Sequence, residues 1–330
     1  MSRYRKRLPQ LGGRLFLSDA GLETMLSFQQ GYTLPSFASF VLLREARGCQ
    51  ALHDYFALFA RMAHEHGLGA VLETPTWRAN RDWARTLGYN ALELAEANRA
   101  AVALLAEVRE GWDSLSTPIV ISGNIGPRGD GYRADRRMPA GDARDYHLAQ
   151  VATFAGTEAD MLGAFTITYP EEAIGVVDAA AACDMPIAIS FTLETDGRLP
   201  SGDALSDAIL RTDAETGGYP LYYMINCAHP SHVEPALAED GPWRERIHGL
   251  RANASRRSHA ELDEALELDD GDPEALGEEY LALRTLLPQM NVVGGCCGTD
   301  ERHVEAIARS LGRSAPQPAQ GGRQQGAPRP

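Results

Sequence analysis

Eight short apolar runs punctuate this chain, and most are followed by a longer stretch whose apolar residues recur at helical spacing. The runs begin at Leu15, Leu68, Ile119, Asp160, Ile187, Leu221, Ile247 and Asn291. Continuous apolar runs of this length suit strands buried on both faces, as in a parallel sheet. The helical stretches are Phe40 to His66, Ala91 to Glu110, Asp142 to Gly156, Glu171 to Ala182, Ala204 to Thr216, Asp272 to Leu287 and Asp300 to Leu311. About eight alternations on a core near the roughly 250 residues usual for such a fold favour a single-domain α/β protein, a (β/α)8 TIM barrel, over an open doubly wound sheet. The 44% hydrophobic content of 330 residues is enough for that core. The barrel is expected over 14–312, after an N-terminal arm at 1–13 and before a Gly/Gln/Pro-rich disordered tail at 313–330. The link between the sixth and seventh runs is short and Pro-rich, which makes its helix doubtful.

Three cysteines fall at the ends of two of these runs. Cys227 closes Leu221 to Asn226, and Cys296 and Cys297 stand side by side in Gly294-Gly295-Cys296-Cys297-Gly298 after Asn291-Val292-Val293. Neighbouring residues on a strand point to opposite faces, so adjacent cysteines reach one metal only where the backbone leaves strand geometry, and the flanking glycines permit that. Three thiolates leave the fourth tetrahedral position of Zn²⁺ open, the mark of a catalytic site, and that position can hold a substrate thiol. The competing readings are a strained disulfide between neighbours, small buried residues, or a core role for Cys227. Five cysteines without framework spacing do not indicate an oxidising compartment, and zinc favours thiolates, so the metal reading is preferred. Cys49 and Cys183 lie in helix-like stretches and read as core packing.

Barrel active sites lie at the C-terminal ends of the strands, which brings Cys227, Cys296 and Cys297 to one mouth. The same rule selects Asp19, Glu73, Thr74, Asn124, Thr166, Glu194, Asn226 and Asn253 as rim residues. Of these, Asp19, Glu73, Thr74, Asn226 and Asn253 are the expected substrate contacts, although rim polar groups also cap helices and satisfy loops. His229, two residues past Cys227, reads as a cap more than a ligand, and His64, His66, His259 and His303 as helix-associated surface residues. Gly123, Gly126 and Gly129 read as a turn without a P-loop lysine. Trp77 and Tyr132 are candidates to face a cationic methyl group, with packing the plainer role.

A formal charge of −14 and the lack of a basic face with interleaved aromatics argue against nucleic-acid partners and for small, cationic ligands. The acidity concentrated in Glu261 to Glu279 reads as solvated surface. There is no transmembrane run, and Asp19 interrupts the apolar stretch after Leu15-Phe16-Leu17 too early for a signal peptide, so a cytoplasmic protein with no membrane partner is expected. No coiled-coil heptad or swapped arm marks an oligomer.

The chain resembles the zinc-dependent homocysteine S-methyltransferase family. The resemblance runs from Asp19-Ala20-Gly21-Leu22-Glu23-Thr24, through Glu73-Thr74-Pro75-Thr76-Trp77-Arg78-Ala79-Asn80 and Gly123-Asn124-Ile125-Gly126-Pro127-Arg128-Gly129, to Ile225-Asn226-Cys227 and Gly294-Gly295-Cys296-Cys297-Gly298. It implies a (β/α)8 barrel, zinc on Cys227, Cys296 and Cys297, and methyl transfer to the sulfur of homocysteine. The donors it implies are S-methylmethionine or S-adenosylmethionine in one branch and betaine in another; methylfolate, in a third, works through further domains that are not read here. One position departs: Asp160-Met161-Leu162-Gly163-Ala164-Phe165-Thr166 puts Phe165 where the family's glutamate holds the homocysteine ammonium. A metal-dependent hydrolase is a competing reading, weakened because such sites draw on His and carboxylate ligands. Another is a zinc- or thiol-binding barrel without methyl transfer, since fold and metal alone do not establish turnover.

Overall fold

The computed structural model describes residues 1–265 and 267–312; the expected tail at 313–330 lies outside the described residues. Eight parallel strands close into a barrel in chain order. They are β1 (Phe16–Leu17), β2 (Gly69–Glu73), β3 (Ile119–Ile125), β4 (Met161–Ile167), β5 (Ile187–Phe191), β6 (Tyr223–Asn226), β7 (Ile247–Ala252) and β8 (Val292–Gly295). Closure is made by β1, whose Phe16 pairs with Gly69 on one side and Val292 on the other. The (β/α)8 barrel expected from the alternating runs is what forms, and each strand starts within two residues of its predicted run.

Period-two alternation divides every strand between two cores. Phe16, Val71, Val120, Met161, Phe165, Ala188, Tyr222, Met224 and Val292 fill the barrel interior. Their neighbours Leu17, Leu72, Ile121, Leu162, Ile189, Ile225 and Val293 pack outward beneath the helices. Those helices are α1 (Ala46–Glu65), α2 (Ala91–Trp112), α3 (Ala140–Ala155), α4 (Pro170–Ala182), α5 (Leu205–Thr216), α6 (Pro230–Ala236), α7 (Pro273–Leu286) and α8 (Glu301–Gly312). Their starts follow local chemistry. Asn90 and Glu93 form a capping box for α2, and Pro170, Pro230 and Pro273 open their helices where no amide hydrogen is needed. The doubtful helix after β6 exists as the short α6: Pro230 opens it under a His229 cap, and Pro235 lies inside it, one residue before its end. No helix among the described residues is long and apolar enough to cross a membrane.

The N-terminal residues close the end of the barrel opposite the cysteines. Leu8 joins the interior core, Gln10 donates to the Met161 sulfur at 3.1 Å, and the Tyr4 amide donates to Asp160 at 2.7 Å. Asp160 also pairs with the buried Arg109 at 3.0 Å, which neutralises a charge that burial would otherwise penalise.

Candidate metal centre and substrate cavity

Cys227 is the first residue beyond β6 and takes a left-handed backbone, φ +52°. A non-glycine residue in that region is uncommon and marks a position fixed by its surroundings. Here the Cys227 amide donates to the Arg251 carbonyl of β7 at 3.0 Å and the Asn253 side chain donates to the Cys227 carbonyl at 3.1 Å. Cys296 and Cys297 follow β8, with the Cys296 amide held on the Ala252 carbonyl at 2.7 Å. Gly298 then turns at φ +80°, a conformation that glycine adopts without the penalty of a Cβ. The backbone therefore leaves strand geometry at both cysteine segments, as a shared site requires.

The Sγ atoms of Cys227 and Cys297 are 3.9 Å apart, and all three sulfurs lie within 4.8 Å of one another. A tetrahedral ion with zinc–sulfur bonds of about 2.3 Å would hold its sulfurs about 3.8 Å apart. Cys227 and Cys296 are drawn together as a disulfide, with Cα atoms 5.5 Å apart. The disulfide considered for the neighbours Cys296 and Cys297 is not the one formed. Cys227 is 3% exposed, and burial pushes the Cys297 thiol up. The Tyr132 hydroxyl donates to the Cys227 sulfur at 3.5 Å and lies 3.6 Å from that of Cys297. With the Cys227–Cys296 bond reduced, the three thiols make an all-sulfur donor set of the kind that suits Zn²⁺, and the Cys227–Cys297 separation already matches it.

The sulfurs open into a cavity of about 420 Å³ at the C-terminal mouth of the barrel, a size suited to small molecules. All five expected substrate contacts line it, but they differ in what they have free. The Asp19 carboxylate lies 2.6 Å from the Arg251 guanidinium and accepts from Ser18 and Tyr55. Thr74 shares its hydroxyl with Thr76 and the Asn124 amide. Asn226 accepts from the Thr166 amide at 2.8 Å and from Ser190 at 2.7 Å, and donates to the Thr166 hydroxyl. These three hold the frame. Glu73 and Asn253 each keep a buried oxygen, Oε2 and Oδ1, without a well-formed hydrogen bond, and burial pushes the Glu73 carboxyl up to about 7 although Arg251 and the nearby Ser122 hydroxyl pull it down.

Three expectations fail. Glu194 is not among the cavity residues; it turns back on itself, with its amide on the Arg198 carbonyl at 2.8 Å. His259 and His303 are buried, not surface residues. His303 bonds the Asp270 carbonyl at 2.7 Å, and His259 stacks on Tyr132 with ring centroids 4.4 Å apart, kept neutral by burial that lowers it to about 4. The acidic segment is only partly a solvated face, since Asp263, Glu267 and Asp269 line the mouth after the chain beyond β7 folds back over it. His229 caps α6, receiving the Ser231 amide at 3.2 Å, and stands outside the sulfur cluster.

Several contributors were not singled out from the sequence. Arg251 is one, although the alternation of β7 that puts Gly249 inside puts Arg251 inside too. Another is Glu23, half-buried and accepting from Ser39 at 2.7 Å. Phe165 stands on the inner face of β4, its ring 5.4 Å from the Arg251 guanidinium carbon.

The fold and the sulfur trio together define a (β/α)8 barrel with a cluster of three cysteines, able to hold a metal ion, at its C-terminal mouth. Residues 16–311 match the model of the homocysteine S-methyltransferase family, and the chain belongs to that family. It is a methyltransferase of this kind. Among curated proteins it is 24% identical to homocysteine S-methyltransferase 2 of Zea mays, over 94% of this chain and 93% of the relative. It is also 24% identical to homocysteine S-methyltransferase 3 of Zea mays, over 93% of each. Among solved structures it superposes on the homocysteine methyltransferase MmuM of Escherichia coli in a metallated form, with TM-score 0.73 and 18% identity, over 93% of this chain and 99% of the other. The oxidized form of MmuM gives TM-score 0.74 over the same shares.

Proposed function

We propose that this protein binds Zn²⁺ on Cys227, Cys296 and Cys297 and transfers a methyl group from a sulfonium or quaternary ammonium donor to a thiol, homocysteine in the first instance, with methionine as product. The three converging sulfurs carry this reading, supported by the family to which the chain belongs and by the metallated form of its structural neighbour. Zinc bound there would hold the acceptor sulfur as a thiolate, the nucleophilic form, at neutral pH.

The chain's own residues have four tasks around that centre. Tyr132 places a hydroxyl beside two of the sulfurs and, with its ring on His259, walls off water on that side. Glu73 and Asn253, which line the cavity, contact the acceptor. Asp19, Thr74 and Asn226 hold those contacts in place through the bonds described above. Asp130, Asp263, Glu267 and Asp269 at the mouth attract a cationic donor, and the faces of Trp77 and Tyr132 suit its methylated centre. The reaction has no need of a strong general base, and rate gain comes chiefly from aligning two bound molecules. A hydrolase gains no support from an all-sulfur donor set.

The test pairs metal analysis with methyl transfer on one reduced sample, using S-methylmethionine, S-adenosylmethionine and betaine as donors. The expected result is about one zinc per chain and transfer to homocysteine. Cys227→Ala, Cys296→Ala and Cys297→Ala should each lose metal and transfer together. A Cys297→Ala protein that still transfers would remove that residue from the site.

A further inference from the structure

Inside the barrel mouth, two opposite charges lie near each other without pairing. The Arg251 guanidinium is anchored on one edge only: Nε donates to the Gly295 carbonyl at 3.0 Å, and Nη2 donates to the Ala20 carbonyl at 3.1 Å and sits 2.6 Å from Asp19. Its Nη1 donates to no group among the described residues and is not among the atoms sealed from solvent, so it faces the cavity that Arg251 lines. Glu73 lies close enough for the two charges to influence each other, yet no ion pair joins them. Its Oε2 is sealed among Ser122 and Phe165, whereas its Oε1 takes no hydrogen bond from any described residue and is not among the sealed atoms, so Oε1 is the oxygen free toward the cavity that Glu73 lines. The ring of Phe165 lies alongside both. A Cβ on Gly163 would come within 2.5 Å of that ring and 3.0 Å of Glu73 Oε2, so the glycine is what leaves space for the two together.

A charged donor atom and a charged acceptor atom held at the barrel mouth without a partner each forgo a charge-assisted hydrogen bond until a ligand supplies it. An α-amino acid carries a carboxylate and an ammonium on one carbon, which is what would satisfy both at once. We infer that Arg251 and Glu73 form the specificity subsite for the acceptor's polar end, with Arg251 Nη1 taking the carboxylate and Glu73 Oε1 the ammonium. This rests on the thiol-acceptor reading above. Phe165 then forms the apolar wall against which the carbon chain of the thiol lies, and the ammonium contact has moved from β4 to β2.

The test uses the full chain, reduced and zinc-loaded, and measures binding by titration calorimetry, so that no methyl donor enters. Three thiols of matched length serve as probes: homocysteine, 4-mercaptobutyrate without the ammonium, and 3-mercaptopropylamine without the carboxylate. Arg251→Lys, which keeps a positive charge for Asp19, should weaken homocysteine and 4-mercaptobutyrate by about tenfold or more and leave 3-mercaptopropylamine within about threefold. Glu73→Gln should weaken homocysteine and 3-mercaptopropylamine by the same factor and spare 4-mercaptobutyrate. If circular dichroism shows that Arg251→Lys does not fold, the pair Arg251→Met with Asp19→Asn replaces it and should give the same pattern. Equal losses on all three thiols, or none, overturn the subsite. A parent protein that holds zinc and binds none of the three overturns the thiol-acceptor reading itself, which is a different result.

Discussion

Glu73 occupies the last position of β2, walled in by Phe165 and Gly163 and facing Arg251 without touching it. Burial holds its carboxyl up at about 7, against 4.5 for an ordinary glutamate. The folded state therefore keeps a proton that the unfolded chain gives up. Stability from this source is present in full below about pH 4.5 and is lost as pH rises to about 7, by roughly 3 kcal/mol across the window. Glu73→Gln carries no titrating proton. The difference in unfolding free energy between variant and parent should grow in the variant's favour from pH 4.5 to 7 and then level off, as read from urea titrations. A pH-independent difference would show that Glu73 ionises normally in the folded protein. The cysteines follow the opposite pattern, since their value lies in chemistry and not in stability: each alanine variant should lose metal while its unfolding midpoint moves little.

At the scale of the element, β4 carries a device that the cavity depends on. Its register against β5 slips between Ala164 and Ile167, and Thr166 within the slip sits at φ +60°. A bulge re-aims the side chains beside it. This one is pinned from β6, where Asn226 accepts from the Thr166 amide and donates to its hydroxyl. The Asn226→Leu protein would leave the Thr166 amide and the Ser190 hydroxyl buried and unmatched. A loss of about 2–6 kcal/mol is expected, from about 1–3 for each of the two orphaned groups. It should come with weaker acceptor binding, because the bulge positions Phe165. Urea unfolding of the variant measures the first effect; a loss below about 0.5 kcal/mol would mean that Asn226 does not pin the bulge.

For the whole molecule, the barrel core and the sulfur trio are separable. The interior core runs from Leu8 to Phe165, and the larger shell between sheet and helices is continuous and apolar. Neither includes a metal in its packing, unlike a zinc finger, whose fold is its metal site. Chelation of the reduced protein should abolish methyl transfer while far-UV circular dichroism changes little, and loss of the helical signal on chelation would make the zinc a structural element. The barrel was legible in the sequence because strands buried on both faces must be written as apolar runs, and eight such runs with helices between them leave few other arrangements. The meeting of the three cysteines was legible for a related reason: strand ends in a parallel barrel share one face, so Cys227, Cys296 and Cys297 come together there. What the sequence could not supply was which polar atoms at that face are already spent. Asp19, Thr74 and Asn226 have the same look in the chain as Glu73 and Asn253, and Arg251 was not singled out although strand alternation turns it inward. Only the packed barrel decides that Asp19 is matched by Arg251 and Tyr55, that Glu194 turns away, and that His259 lies under Tyr132. Hydrogen-bond partners are chosen among groups brought together by closure of the sheet, over separations that local sequence does not encode.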